Sequence, residues 1–460
     1  MPNFALAFSS NIMAFNIAAD CAACVPLKTE PWNQLFYHIN HPSMKRRNFV
    51  KNAALTTLGM ALIRPLEVLS EKSINMKTND QLKDMELPAG IRERYVTGVN
   101  GLTIHVLEAG FDTPKRPVIL LLHGFPELAY SWRKVMPLLA AAGYNVIAPD
   151  LRGYGRTTGW DNSYDGNFAS FRTHELSRDA LGLIMAMGHD SVYAIVGHDV
   201  GAIVAAYCAL VRPDFFRSVV LLSCPFGGVP PLPFGVGEQT APNLQQKQPV
   251  QDPLAALPRP RKDSTTYFSS RGANNEMLNC EQGLHDFLRA YFHVKSADWS
   301  QNKPFPLTSG LAEELAKQPA YYVLDLDKTM PEVVAPNMPS PEEISACKWL
   351  PDSELNVYIQ ELNRTGFQGA LNWYRCNTNG LNRSDLELFS GHTIDVPSCF
   401  ISGIADWARF RPPGALEKMQ HGACTQLRSF QIIDSAGHWV QQEQPEYLTK
   451  LIVDFLQKVN

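Results

Sequence analysis

The chain has 460 residues, 45% of them hydrophobic and 19% charged, with a formal charge of −4 at pH 7. That composition is globular and supplies a large core, while the nearly balanced charge excludes a basic nucleic-acid surface. No run of about 18 uncharged apolar residues occurs, so no spanning helix, and no stable membrane anchor, is expected in the body.

The first feature in chain order is Met44-Lys45-Arg46-Arg47-Asn48-Phe49-Val50-Lys51, followed by a mildly apolar stretch to Ile63. It resembles a bacterial twin-arginine export signal, although no small-x-small cleavage site follows. Such a signal acts near a true N-terminus. Residues 1–43 are therefore expected to be an extension or a mis-called start, and 44–75 a signal and linker. The expected location is exported or periplasmic if Arg46-Arg47 is used, and cytoplasmic otherwise. Cys21 and Cys24 form a lone CxxC with no second pair. Seven cysteines follow residue 50 at irregular spacing, an odd number that gives neither a disulfide framework nor a zinc pattern.

Regular structure is predicted from residue 92. Arg92–Gly98 and Leu102–Glu108 read as strands joined by Asn100-Gly101, a two-residue hairpin turn. Val118–Leu122, Asn145–Ala148, Ser191–Val196 and Ser218–Leu222 are short continuous apolar runs, the pattern of strands buried on both faces. Helical stretches near 128–142, 173–188 and 200–212 alternate with them, which predicts an α/β fold with a mostly parallel sheet. The rhythm then breaks. Residues 225–260 hold nine prolines, a density that forbids regular helix or central strand. Helical patterns follow, at Leu284–Tyr291, Leu311–Ala316 and Ser353–Leu362. Strand rhythm resumes at Val396–Ser402 and Leu427–Ile433, before a closing helix at 445–458. The expected organisation is an α/β core in two parts, 90–225 and 386–460, interrupted by a proline-rich loop and helical cap at 226–385.

Four motifs carry chemistry. Gly197-His198-Asp199-Val200-Gly201-Ala202 lies between an apolar strand and a helix. Small residues at 197, 201 and 202 permit a sharp turn that projects the apex side chain, Asp199, above the sheet edge. A carboxylate at this apex suits displacement at an sp³ carbon, giving an alkyl ester on the enzyme. His123-Gly124-Phe125-Pro126-Glu127 ends the strand Val118–Leu122. The backbone N–H groups of Phe125 and Val200 would then face each other as an oxyanion hole, with Phe125-Pro126 expected to be cis. Asp406 follows the strand Val396–Ser402, where an acid orients the base; Asp395 and Asp434 are weaker choices. His438, in Gly437-His438-Trp439, follows the last strand as the expected base toward water. The run Asp150–Thr157 is read as fold architecture, its glycines allowing a tight turn.

Together His123–Glu127, Asp150–Gly155, Gly197–Ala202, Asp406 and Gly437–Trp439 resemble the epoxide hydrolase branch of the α/β-hydrolase superfamily, over roughly residues 90–460. The resemblance implies opening of an epoxide, in all expectation an apolar one, to a vicinal diol without metal or organic cofactor. Gly366–Arg375 resembles the late cap segment of that branch, which makes Tyr374 one of two tyrosines facing the substrate. Tyr267 is the first choice for the other and Tyr291 the second. His123, Pro126 and Trp373 are expected to line the substrate site. Val200 departs from the tryptophan often found after the nucleophile. That lowers the alternative reading as a dehalogenase, whose tryptophan there holds the halide. A ligand-binding protein without catalysis is the remaining alternative, against which stands the intact set Asp199, Asp406 and His438. The substrate, stereochemistry and oligomeric state are not encoded in any motif.

Overall fold

The computed structural model describes residues 85–232 and 252–459. The twin-arginine-like segment and the Cys21–Cys24 pair lie outside the described residues. Eight strands form one sheet: β1 (Ile91–Val99), β2 (Leu102–Ala109), β3 (Val118–Leu122), β4 (Asn145–Pro149), β5 (Ala194–His198), β6 (Val219–Leu222), β9 (Ser398–Gly403) and β10 (Leu427–Ile433). Their order is β1-β2-β4-β3-β5-β6-β9-β10. β1, β2 and β4 pair antiparallel, and every other neighbour is parallel.

β3 shows why the central strands are apolar throughout. Successive side chains point to opposite faces. Leu120 and Leu122 join the cluster that includes the elbow helix and the cap. Ile119 and Leu121 join the cluster packed under the closing helix Pro445–Lys458. Both faces are covered, so no polar alternation is possible.

A largely helical insert runs from the end of β6 to β9. Its main helices are Gly283–Lys295, Asp352–Thr365 and Gln368–Thr378. It also contains a small antiparallel ribbon, β7 (Arg261–Asp263) with β8 (Val323–Asp325). The sequence predicts no strands here, because three residues are too few to show a period of two. Among the described residues no helix is long and apolar enough to cross a membrane.

One buried ion pair locks β2 to the start of the loop after β4. His105 Nδ1 lies 2.7 Å from Asp150 Oδ2, and its Nε2 lies 3.3 Å from Glu93 on β1. Burial alone would lower the His105 pKa, but the Asp150 charge and hydrogen bond, with those of Glu93, push it up to about 9. The folded state therefore holds a proton that the unfolded chain releases near pH 6.5. The stabilisation is fully present below that pH and is lost as pH rises toward about 9. For a residue with no exposed surface the amount is on the order of 3 kcal/mol. In denaturant titrations between pH 6 and 9.5, the stability of a His105→Gln variant is expected to depend less on pH than the wild type's. Parallel curves would remove this pair from the account.

Candidate active site

The nucleophile elbow is built as its small residues require. Asp199 adopts φ 53° and ψ −119°, a strained conformation for a residue with a Cβ. The turn is paved with backbone. A Cβ on Gly197 would stand 2.1 Å from the Gly201 carbonyl oxygen, and one on Gly201 would stand 2.3 Å from that of Leu122. A Cβ on Gly124 would meet the Asp199 Cβ at 2.4 Å. These glycines thus let the His123–Glu127 loop come down directly on the apex.

Asp199 keeps 16% of its side chain accessible while its neighbours are buried. Phe125 N–H donates to Asp199 Oδ1 at 3.1 Å. Val200 opens the following helix, Val200–Val211. Its amide makes no hydrogen bond to the carboxylate among the described residues. His438 Nε2 lies 3.5 Å from Asp199 Oδ2, within ion-pair distance but without a hydrogen bond. On its other side, His438 Nδ1 lies 3.1 Å from Asp406 Oδ1. Asp406 is itself fixed by the N–H of Ala408 at 2.9 Å and by Ser402 Oγ at 3.3 Å.

The electrostatics follow from this spacing. Burial opposes charge on Asp199, but the adjacent His438 imidazole, then Lys295, hold its carboxyl well below the usual range. Asp406 is likewise held low by His438 against burial. Burial and then Lys295 oppose a proton on His438, while Asp406 and Asp199 outweigh them and raise its pKa.

Above Asp199 sits an aromatic ceiling centred on Phe125. Its ring centroid lies 4.9 Å from Phe268, 5.6 Å from Tyr374, 6.1 Å from Phe367 and 6.3 Å from Tyr291. Burial and the Asp199 charge push up the pKa of both Tyr374 and Tyr291. Both phenols therefore stay protonated and able to donate.

The family model for the alpha/beta hydrolase fold matches residues 117–445. Epoxide hydrolase A of Mycobacterium tuberculosis is 33% identical over 372 residues, covering 79% of this chain and 97% of that protein. The epoxide hydrolase of Caballeronia sordidicola is 30% identical, covering 84% and 99%. Among solved structures, an epoxide hydrolase from an endophytic Streptomyces superposes with a TM-score of 0.62 at 30% identity, covering 80% and 96%. The chain belongs to the epoxide hydrolases of the α/β-hydrolase fold. Potato (Solanum tuberosum) epoxide hydrolase I also superposes, with a TM-score of 0.58 at 29% identity, covering 80% of this epoxide hydrolase and 99% of that chain.

Several expected site residues are placed differently from the sequence reading. Tyr267 does not face Asp199. It packs inside the cap, where Glu276 and Glu332 act on its phenol and Lys262 lies 5.4 Å from its ring. Its neighbour Phe268 takes the place in the ceiling, since one residue along a helix turns the side chain by about 100°. Tyr291, the second choice, occupies the position expected of Tyr267. His123 is fully buried and serves the backbone rather than a substrate. Its Nδ1 bonds the Gly124 carbonyl at 2.9 Å, and its Nε2 accepts the Leu151 N–H at 3.0 Å. Pro126 follows a cis bond and is buried. Trp373 is buried edge-on against Tyr374, with ring centroids 5.1 Å apart.

The structure adds residues that motif reading left unassigned. His198, beside the nucleophile, bridges Glu127 at 2.7 Å and the His438 carbonyl at 2.8 Å. Both His198 and Glu127 stand inside the quoted motifs, so the signal was present without a role. Glu443 accepts the N–H groups of Gly437, Trp439 and Ala297, each at 2.9 Å, and so clamps the His438 loop to the cap. Lys295 had no sequence signal beyond lying four residues after Tyr291.

Proposed function

We propose that the enzyme adds water to an apolar epoxide, giving a vicinal diol through an alkyl ester on Asp199. Tyr374 and Tyr291 donate hydrogen bonds to the epoxide oxygen. Asp199 Oδ attacks a ring carbon, the ring C–O bond breaks, and the alkoxide takes a phenol proton. Water then gives a proton to His438 Nε2, and the hydroxide bonds to the ester carbonyl carbon. The oxyanion is met by the N–H of Phe125 and, after a small adjustment, that of Val200. Collapse breaks the bond between the Asp199 carbonyl carbon and the substrate oxygen. That oxygen takes the imidazolium proton, and the proton left on the Asp199 carboxyl restores the tyrosine.

The observation that carries this reading is a partly accessible carboxylate at a strained turn, 3.5 Å from an imidazole backed by Asp406. The test is mass spectrometry of the Asp199 peptide from a His438→Gln variant treated with panels of epoxides and haloalkanes. An adduct with an epoxide's mass is expected on Asp199, with diol released by the wild type. Halide release without diol would favour a dehalogenase, and binding without adduct or product a non-catalytic role. For the N-terminal segment we propose export on the Arg46-Arg47 signal. Replacing both by lysine is then expected to retain the enzyme in the cytoplasm on cell fractionation, and an unchanged distribution would end that reading.

A further inference from the structure

Lys295 closes the cap helix Gly283–Lys295 and is 5% exposed. Its ammonium lies 5.3 Å from the ring of Tyr291, 5.2 Å from that of Tyr322 and 5.3 Å from that of Trp439. Among the described residues no carboxylate comes within 4.0 Å of it. Burying an ammonium without an ion-pair partner costs several kcal/mol, and aromatic faces offset only part of that. Burial lowers the Lys295 pKa, and the charges of two nearby carboxylates, Asp199 and then Asp406, oppose that lowering.

The position is fixed relative to the base. The Lys295 carbonyl accepts the His438 N–H at 2.9 Å. A Cβ on Gly437 would meet the Ser296 carbonyl carbon at 2.4 Å, so the two loops lie backbone on backbone. The Glu443 clamp joins Ala297 to the same loop. The Lys295 backbone therefore cannot drift from His438 without breaking the loop that carries it, and the three rings place its ammonium.

We propose that Lys295 is the fixed cation of the site, offsetting Asp199 while that carboxylate is free and holding His438 as uncharged imidazole once Asp199 is an ester. The inference rests on the ester pathway proposed above. In the free enzyme Asp199 and Asp406 flank His438, and Lys295 balances part of their charge. Ester formation removes the Asp199 charge but leaves the ammonium in place. A second positive charge on His438 then faces Lys295 across a poorly screened site. The imidazole is driven to its basic form at the stage where it must accept a proton from water. The other groups around this pair do not replace it. His198 is held between Glu127 and the His438 carbonyl, Arg411 is paired with Asp263 at 2.8 Å, Glu443 is bound to three amides, and Cys224 is a partly buried thiol whose pKa burial pushes up. Tyr291, which carries the Lys295 cation near its ring, gains an attractive neighbour if its phenol gives up the proton. Lys295 acts through His438 and Tyr291, and is a positioning residue.

The test is quenched-flow measurement of ester formation and ester decay on Asp199 across pH, with styrene oxide as the probe. In Lys295→Met and Lys295→Gln the acid limb of ester decay is expected to move up by about one pH unit or more, a roughly tenfold slower decay on that limb. The alkaline plateau is expected to stay within a few-fold, and Lys295→Arg to keep the limb where the wild type has it. An unmoved limb, or equal loss in both phases at every pH, would reduce Lys295 to packing. Imidazole ¹⁵N titration of the wild type reads the same quantity without substitution: His438 must titrate lower in the accumulated ester than in the free enzyme, and a value no lower overturns the proposal. If wild type forms no ester on Asp199, it is the pathway itself that fails.

Discussion

An Asp199→Asn variant is expected to fold normally and to lose about four orders of magnitude or more in turnover, ~5 kcal/mol of transition-state stabilisation. The amide matches the carboxylate in shape. Its oxygen can still accept the Phe125 N–H that now reaches Asp199 Oδ1 at 3.1 Å. The tight approach of Gly124 to the Asp199 Cβ is unaltered, so the elbow keeps its geometry. What disappears is the nucleophilic oxygen anion. Steady-state diol formation and the mass of the residue-199 peptide measure this directly. Melting within a few degrees of wild type, no adduct and no diol is the expected set. Turnover within tenfold of wild type would place the attacking group elsewhere.

The two ceiling tyrosines carry the second large effect. Tyr291→Phe and Tyr374→Phe are each expected to slow ester formation by roughly a hundredfold, with a greater loss in the double variant. Ester decay should change far less, because His438 and the Phe125 amide act there. Tyr267→Phe is the control. Its phenol lies inside the cap beside Glu276, and ester formation in that variant is expected to stay within about twofold. Rapid-quench rates separate the phases. A Tyr267→Phe loss equal to that of Tyr291→Phe would contradict the placement of these side chains.

The difference between Tyr267 and Tyr291 shows where sequence reading stops. Each is followed by phenylalanine, and each lies on a helix of the insert, Ser264–Phe268 and Gly283–Lys295. Nothing in Tyr267-Phe268 or Tyr291-Phe292 states which side of its helix faces the sheet. That choice is made by packing against Phe125, a contact between residues far apart in the chain. Asp199 and Asp406 were legible for the opposite reason. Each follows a strand whose apolar run marks its end, and strand ends of a parallel sheet share one rim. The placement of His438 after β10 follows the same logic. Lys295 and Glu443 escaped because a lysine at a helix end and a glutamate in a helix are ordinary surface residues by type. Only the docking of one loop on another buries the lysine and partly buries the glutamate. The β7–β8 ribbon escaped through brevity.

The insert also has a consequence for synthesis. β9 lies between β6 and β10, yet residues 223–397 emerge from the ribosome before it does. At about 5–20 residues per second, those ~175 residues leave Val219–Leu222 without its outer partner for roughly 10–35 s. An open edge of four apolar residues is a template for pairing with other nascent chains. Premature termination anywhere in that interval would yield a fragment that owns a nucleophile but no base, with a sticky flank to bury. Yield of intact enzyme should therefore depend on holdase chaperones and on translation speed through the insert.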